Sequence, residues 1–245
     1  MCPRNNPMVN IVDENLIELG KKNAAFKAVE ENVKKDMILG IGSGSTVVYA
    51  VKAIAEINQR NNLNLKCIPT SFQSHQLIVE NGLPLVSLDQ YPEIDLDIDG
   101  ADEIDKSLNL IKGGGGCLVQ EKIIASSSKK LVIVVDYSKK SDYLGEKWKK
   151  GVPIEIIPLA YIPIMKRLEK LGGTPILRMA QAKAGPVVSD NGNFIIDVDF
   201  GKIENPMELN LKLLQIPGVV DTGLFISMAS KVYIGQKDGK VEILN

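Results

Sequence analysis

The chain has 245 residues, 44% of them hydrophobic and 24% charged, with 21 Gly and 12 Pro, a composition that excludes disordered, collagen-like and low-complexity proteins. Lys and Arg number 29 against 30 Asp and Glu, and the net charge of −1 favours neither nucleic acid nor an anionic membrane as partner. Cys2, Cys67 and Cys117 show no CxxC spacing and His75 stands alone, so disulfide frameworks and His-rich metal sites are set aside and acid–base chemistry falls to carboxylates and lysines.

Met1 to Asn10 is polar, carries two Pro and lacks a basic-then-apolar leader pattern, and no apolar run has the length of a bilayer span. A soluble, cytoplasmic protein is expected. Glu14 to Lys35 reads as a surface-packed helix, Met37 to Ile41 as a strand and, after a Gly/Ser loop, Val47 to Asn58 as a second helix. The apolar run Leu65 to Pro69 follows, then a helix from Gln73 to Asn81 and strands Pro84 to Leu88, Ile94 to Ile98 and Leu131 to Val135. Unbroken apolar strands between amphipathic helices predict a parallel sheet covered on both faces.

Past Gly145 the rhythm changes to strand Val152 to Ile157, helix Tyr161 to Leu171, strands Thr174 to Arg178 and Phe194 to Asp199, helix Met207 to Gln215 and a strand near Val219. That β-α-β-β-α-β order is the split βαβ of a small ferredoxin-like α+β domain. Leu224 to Ile226, Lys231 to Ile234 and Val241 to Leu244 then read as strands returning to the first domain. The expected architecture is α/β: a Rossmann-like parallel-sheet domain, 1–144 with 223–245, carrying an inserted ferredoxin-like α+β domain, 145–222.

Four segments could carry chemistry. Gly40-Ile-Gly42-Ser43-Gly44-Ser45-Thr46 follows a strand and opens a helix, so backbone N–H groups and the positive helix end can meet an anion. It is not a Walker A loop, for no Lys precedes Ser45 or Thr46, and Ser45 stands where GxGxxG requires its third Gly. The hydroxyls point to one terminal phosphate rather than a dinucleotide, against the plainer reading of a tight turn. Asp97-Ile-Asp99-Gly100-Ala101-Asp102-Glu103-Ile-Asp105 crowds acids at a strand's carboxyl end; Asp99 and Asp102 could face one crevice and bind sugar hydroxyls, a solvated turn being the plainer account.

Lys112-Gly113-Gly114-Gly115-Gly116-Cys117 places a cation before a loop able to wrap a ligand with main-chain donors, and Glu121 follows early in a helix as a possible base. Taken alone, the glycines could be a linker and Glu121 a solvated residue. In Asp136-Tyr-Ser138-Lys139 a buried-type strand ends in Asp and brings Lys139 to the edge where open α/β sheets bind ligands.

With these segments in order the chain resembles the type A ribose-5-phosphate isomerase family. Its motifs stand here as Gly42 to Thr46, Asp99 to Glu103, Lys112 to Gly116, Glu121-Lys122 and Asp136 to Lys139, with Cys117 where Ala is commoner. The resemblance implies interconversion of ribose 5-phosphate and ribulose 5-phosphate through an enediolate, in the non-oxidative pentose phosphate pathway, with no metal or organic cofactor. It implies catalytic Glu121, Asp99 and Lys112: Glu121 moves the proton between C2 and C1, Asp99 assists opening of the furanose ring and Lys112 stabilises developing charge. Substrate binding would fall to Lys22, Ser43, Gly44, Ser45 and Thr46, to Asp99, Gly100, Ala101 and Asp102, and to Lys112, Gly113, Gly114, Gly115 and Lys139. Lys22 rests on the resemblance alone. A homo-oligomer, dimer or tetramer, is implied as well. Two other classes are weighed: a sugar-phosphate-sensing module, for which the amino-terminal stretch leaves no room for a DNA-binding segment, and acyl transfer with Glu121 as nucleophile.

Overall fold

A computed structural model of the chain describes residues 7–245, with side chains from residue 15 onward; Cys2 and most of the polar Met1 to Asn10 stretch lie outside the described residues. The first helix, α1 (Pro7–Asn32), is followed by β1 (Ile38–Ile41), α2 (Ser45–Asn61), β2 (Lys66–Pro69), α3 (Phe72–Glu80) and β3 (Leu96–Asp99). Two short strands, β4 (Glu103–Ile104) and β5 (Leu110–Ile111), precede α4 (Leu118–Ser126) and β6 (Leu131–Asp136). The next stretch holds β7 (Val152–Ile156), α5 (Tyr161–Lys170), β8 (Thr174–Leu177), β9 (Phe194–Asp199), α6 (Pro206–Leu214) and β10 (Val219–Thr222). The chain closes with β11 (Leu224–Phe225), β12 (Ala229–Gly235) and β13 (Val241–Leu244).

The main sheet runs β13-β12-β6-β3-β1-β2, parallel throughout except for the antiparallel edge strand β13. Alternate residues of β6 show why its apolar run is unbroken. Val132 and Val134 join a core with Ala24, Ala28, Val51 and Ile54 of α1 and α2, while Leu131, Ile133 and Val135 pack on the other face with Ala125 and Phe225. Small residues bring α1 close. Gly20 lies against Gly235 of β12: a β-carbon on Gly20 would stand 3.1 Å from the Gly235 carbonyl oxygen, a tight fit, and one on Gly235 would collide with the Gly20 backbone.

The second sheet runs β10-β7-β9-β8 and is antiparallel at every pairing, which with α5 and α6 gives the split-βαβ order expected. Its core of Ile154, Ile164, Leu168, Ile196 and Val198 is separate from those of the large sheet. A third, three-stranded sheet, β11-β5-β4, joins the two and presents Lys112 directly after β5.

Two expectations are corrected. Pro84 to Leu88 is not a strand: it makes one parallel bridge, Leu85 to Cys67, at the exposed edge of β2, and Pro84 has no N–H with which to extend it. The first helix starts seven residues before Glu14.

Candidate active site

The carboxyl ends of β1, β3 and β6 open on one side of the large sheet into a cavity of about 450 Å³, roofed by the glycine-rich loop after β5. That edge is where open α/β sheets place their ligands. Gly42 closes β1 against β3, since any β-carbon there would collide with the Asp99 carboxylate. Asp99 Oδ1 instead accepts hydrogen bonds from the amides of Ser43 (3.0 Å) and Gly100 (2.7 Å). At the start of α2, Gly44 adopts φ 101° as an N-cap without a side-chain acceptor, and no acidic residue occupies the first turn. The helix end is therefore left positive, with Ser45 and Thr46 facing the cavity. Ser43 contributes less freely: its hydroxyl is bonded to Ser71 (2.6 Å), and the Gly44 amide donates to Gln73.

Opposite this anion-binding end sits a buried cluster of charges. Lys112 Nζ lies 2.8 Å from Asp99 Oδ2 and 3.3 Å from Glu121 Oε1, and donates to the Gly100 carbonyl at 2.7 Å. Burial alone would pull its pKa down, but the two facing carboxylates raise it above the usual lysine value, so the ammonium stays charged. Glu121 stands in the first turn of α4 with the side chain buried, and its Oε2 has no hydrogen-bond partner among the described residues. Burial, reinforced by Asp99 and Asp102 and opposed by Lys112, pushes its pKa up to about 8. Behind it the wholly buried Asp97 also lacks partners for both oxygens, and desolvation followed by the Asp99 charge raises its pKa.

The loop from Gly113 to Gly116 is ordered by contacts at both ends. Gly114 donates its N–H to Asp102 Oδ2 at 2.7 Å, and Arg178, at the end of β8, donates to the carbonyls of Gly113 and Gly114. Asp102 is thus tied to the loop rather than capping a helix, and its pKa is raised by burial against the pull of the Gly114 amide and of Lys112. Cys117 lines the cavity as a thiol pushed up to about 12, chiefly by burial, which removes its thiolate reactivity. Among the described residues no group of three or more His, Cys, Asp or Glu is placed to hold a metal ion.

The comparisons with known proteins agree with one another. The family model of ribose 5-phosphate isomerase A (phosphoriboisomerase A) matches residues 66–239. The chain is 56% identical over 227 residues to ribose-5-phosphate isomerase of Sus scrofa, covering 92% of this chain and 74% of that protein. It is 58% identical over 226 residues to the enzyme of Dictyostelium discoideum, covering 91% and 96%. The chain belongs to the ribose 5-phosphate isomerase A family. A solved D-ribose-5-phosphate isomerase in complex with phospho-erythronic acid superimposes with a TM-score of 0.90 at 41% identity, covering 94% of this chain and 99% of that one.

In this member of the isomerase A family, Ser43, Gly44, Ser45, Thr46, Gly100, Ala101, Asp102, Lys112, Gly113, Gly114, Gly115, Glu121 and Lys139 all line the cavity. Asp99 lies just behind the lining, fully buried against Lys112. Lys22 does not reach it. That side chain is exposed and its ammonium lies over Phe26, 5.6 Å from the ring centroid, whereas Lys21, one residue earlier, lines the cavity beside Ile17. The signal was in the helix: Lys21 precedes Ala24, Ala25, Ala28 and Val29 by three, four, seven and eight residues, the spacing of its buried stripe. Arg178 and Gln73 carried no motif and could not have been picked out from the residues alone.

Proposed function

We propose that the protein interconverts ribose 5-phosphate and ribulose 5-phosphate through an enediolate. The observation that carries this reading is Glu121: it lines the cavity, one carboxylate oxygen is held near Lys112, the other is buried without a hydrogen-bond partner among the described residues, and the group is weakly acidic enough to take a proton from carbon and return it. Glu121 moves the proton between C2 and C1 while the Lys112 ammonium faces the oxygens on which charge develops. Asp99 supports opening of the furanose ring by holding Lys112 protonated as the donor beside the sugar. Asp102 and the glycine loop hold hydroxyls. The phosphate rests on the start of α2 at Ser45 and Thr46, with Lys139 and Lys21 as flanking charges, and its binding energy positions the reacting carbons.

In this reading residues 1–144 and 223–245 form the catalytic domain and 145–222 the inserted one, and the enzyme works in the cytoplasm as a dimer or tetramer. Exposed apolar side chains such as Leu159 and Phe72 are compatible with covered surfaces in such an assembly. Among the described residues no helix is long and apolar enough to cross a membrane. The test is turnover of ribose 5-phosphate in deuterated water after exhaustive chelation. Ketose carrying solvent deuterium is expected. Loss of activity restored by a divalent ion, or product without deuterium, would overturn the mechanism, and acylation of Glu121 by a coenzyme A thioester would favour acyl transfer instead.

A further inference from the structure

Four consecutive glycines have no conformational preference of their own, so the shape of the Gly113 to Gly116 loop must be imposed from outside. Arg178 of the small antiparallel sheet imposes it. Its guanidinium is fixed from behind by Asp197 of β9, which accepts from Nε at 2.8 Å and from Nη2 at 2.5 Å, with both side chains only 16% exposed. The remaining arm, Nη1, donates to the carbonyls of Gly113 (3.0 Å) and Gly114 (3.2 Å). In a trans peptide the carbonyl and the next residue's N–H point in opposite directions, so capturing these two carbonyls turns the N–H groups of Gly114 and Gly115 away from the small sheet. The first of these meets Asp102 Oδ2 at 2.7 Å. The second, the Gly115 N–H, stands on a residue that lines the cavity, and this N–H has no acceptor among the described residues.

We infer that Arg178 is a positioning residue for the isomerisation: it sets the direction of two successive peptide dipoles so that Gly114 anchors Asp102 and Gly115 offers its N–H to a sugar oxygen gaining negative charge. The inference deepens, and rests on, the isomerase reading. Asp197 supplies the rigidity, because a bidentate carboxylate holds the planar fork in one orientation that a lysine could not keep. The small sheet thereby acts on the chemistry through two carbonyls without touching substrate.

The experiment compares wild type with Arg178→Met and Arg178→Lys in the full chain. It measures kcat and KM for ribose 5-phosphate, and calorimetric affinities for two probes. Inorganic phosphate reports the α2 end of the cavity alone, while phospho-erythronic acid adds a carboxylate and hydroxyls that must meet the loop. Arg178→Met should lower kcat by about 10- to 100-fold and weaken phospho-erythronic acid by about tenfold or more, with phosphate affinity within about twofold of wild type. Arg178→Lys should recover part of the loss. Near-normal kcat in Arg178→Met, or equal weakening of both probes, would overturn the inference, the latter because it marks a residue that only holds the fold. Should Arg178→Met not fold, Asp197→Asn decides by the same ratio of the two affinities. A wild type that does not isomerise ribose 5-phosphate would remove the functional reading itself, whereas an active wild type with unaffected variants removes only the role of Arg178.

Discussion

Replacing Glu121 with Gln should destroy turnover and make the protein more stable. The wild-type carboxyl has its folded pKa raised from 4.5 to about 8, so the folded state holds this proton more tightly than the unfolded one. The sign follows: its stabilising contribution is complete below about pH 4.5 and is lost as pH rises through about 8. Above that pH the buried cluster holds two carboxylates, Asp99 and Glu121, around the single Lys112 ammonium. Gln keeps the volume and an oxygen able to accept from Lys112 while removing the excess charge. The gain at pH 9 is on the order of a few kcal/mol, which in a chain of this size raises the melting temperature by roughly 5 to 10 °C; at pH 5 the two proteins should melt alike. Turnover should fall by about 10²- to 10⁴-fold, with KM changing much less. In wild type the base must first lose its proton, so kcat/KM should climb with pH and level off near 8. Thermal melts at the two pH values, with initial rates on the same preparations, make the check. A variant that melts lower than wild type at pH 9, or keeps near-normal kcat, would refute the reasoning.

Two further outcomes are expected. Lys21→Ala should raise KM for ribose 5-phosphate by roughly tenfold or more, the loss of a charge-assisted contact worth about 1 to 3 kcal/mol, while Lys22→Ala should leave steady-state kinetics unchanged. Equal effects of the two would mean that α1 is turned differently on the sheet. Gly114→Ala should destabilise by about 1 to 3 kcal/mol, because its β-carbon would stand 2.6 Å from Asp102 Oδ1 and 2.9 Å from Trp148, whereas Gly115→Ala meets nothing within 4 Å and should not lower the melting temperature. Denaturant unfolding of the pair checks this, and a Gly115→Ala chain as unstable as Gly114→Ala would contradict the loop geometry.

How far these features were legible from residues alone varied with their physical cause. Leu131 to Val135 and Phe194 to Asp199 were readable because a strand packed on one or both faces must be apolar in a pattern that any such strand shares. The two-residue strands β4 and β5 were not, since two residues show no period and β5, besides pairing with β4, takes its other partner from β11 more than a hundred residues later. Pro84 to Leu88 looked like a strand by composition, but composition does not say whether an edge is extended or left after one bridge. Within the site, the glycine and acidic motifs revealed the loops, while the identity of the lysine on α1 depended on which way a helix is turned. Consecutive helix residues differ by about 100°, so an error of one position exchanges a cavity residue for a surface one. Arg178 lay beyond reach because its partners are main-chain carbonyls and one aspartate, a pattern with no local spacing to recognise.

The contact between Gly20 and Gly235 has a consequence for how the molecule comes into being. Lys21 reaches the cavity because the residue before it is pressed against β12, and β12 is inserted between β6 and β13 from the far end of the chain. A ribosome therefore adds about two hundred residues after the first helix before that helix has its final seat, and until then the phosphate site is unfinished. Bringing together parts more than two hundred residues apart is a slow, late step in folding, and the finished site appears only with the closure of the whole sheet.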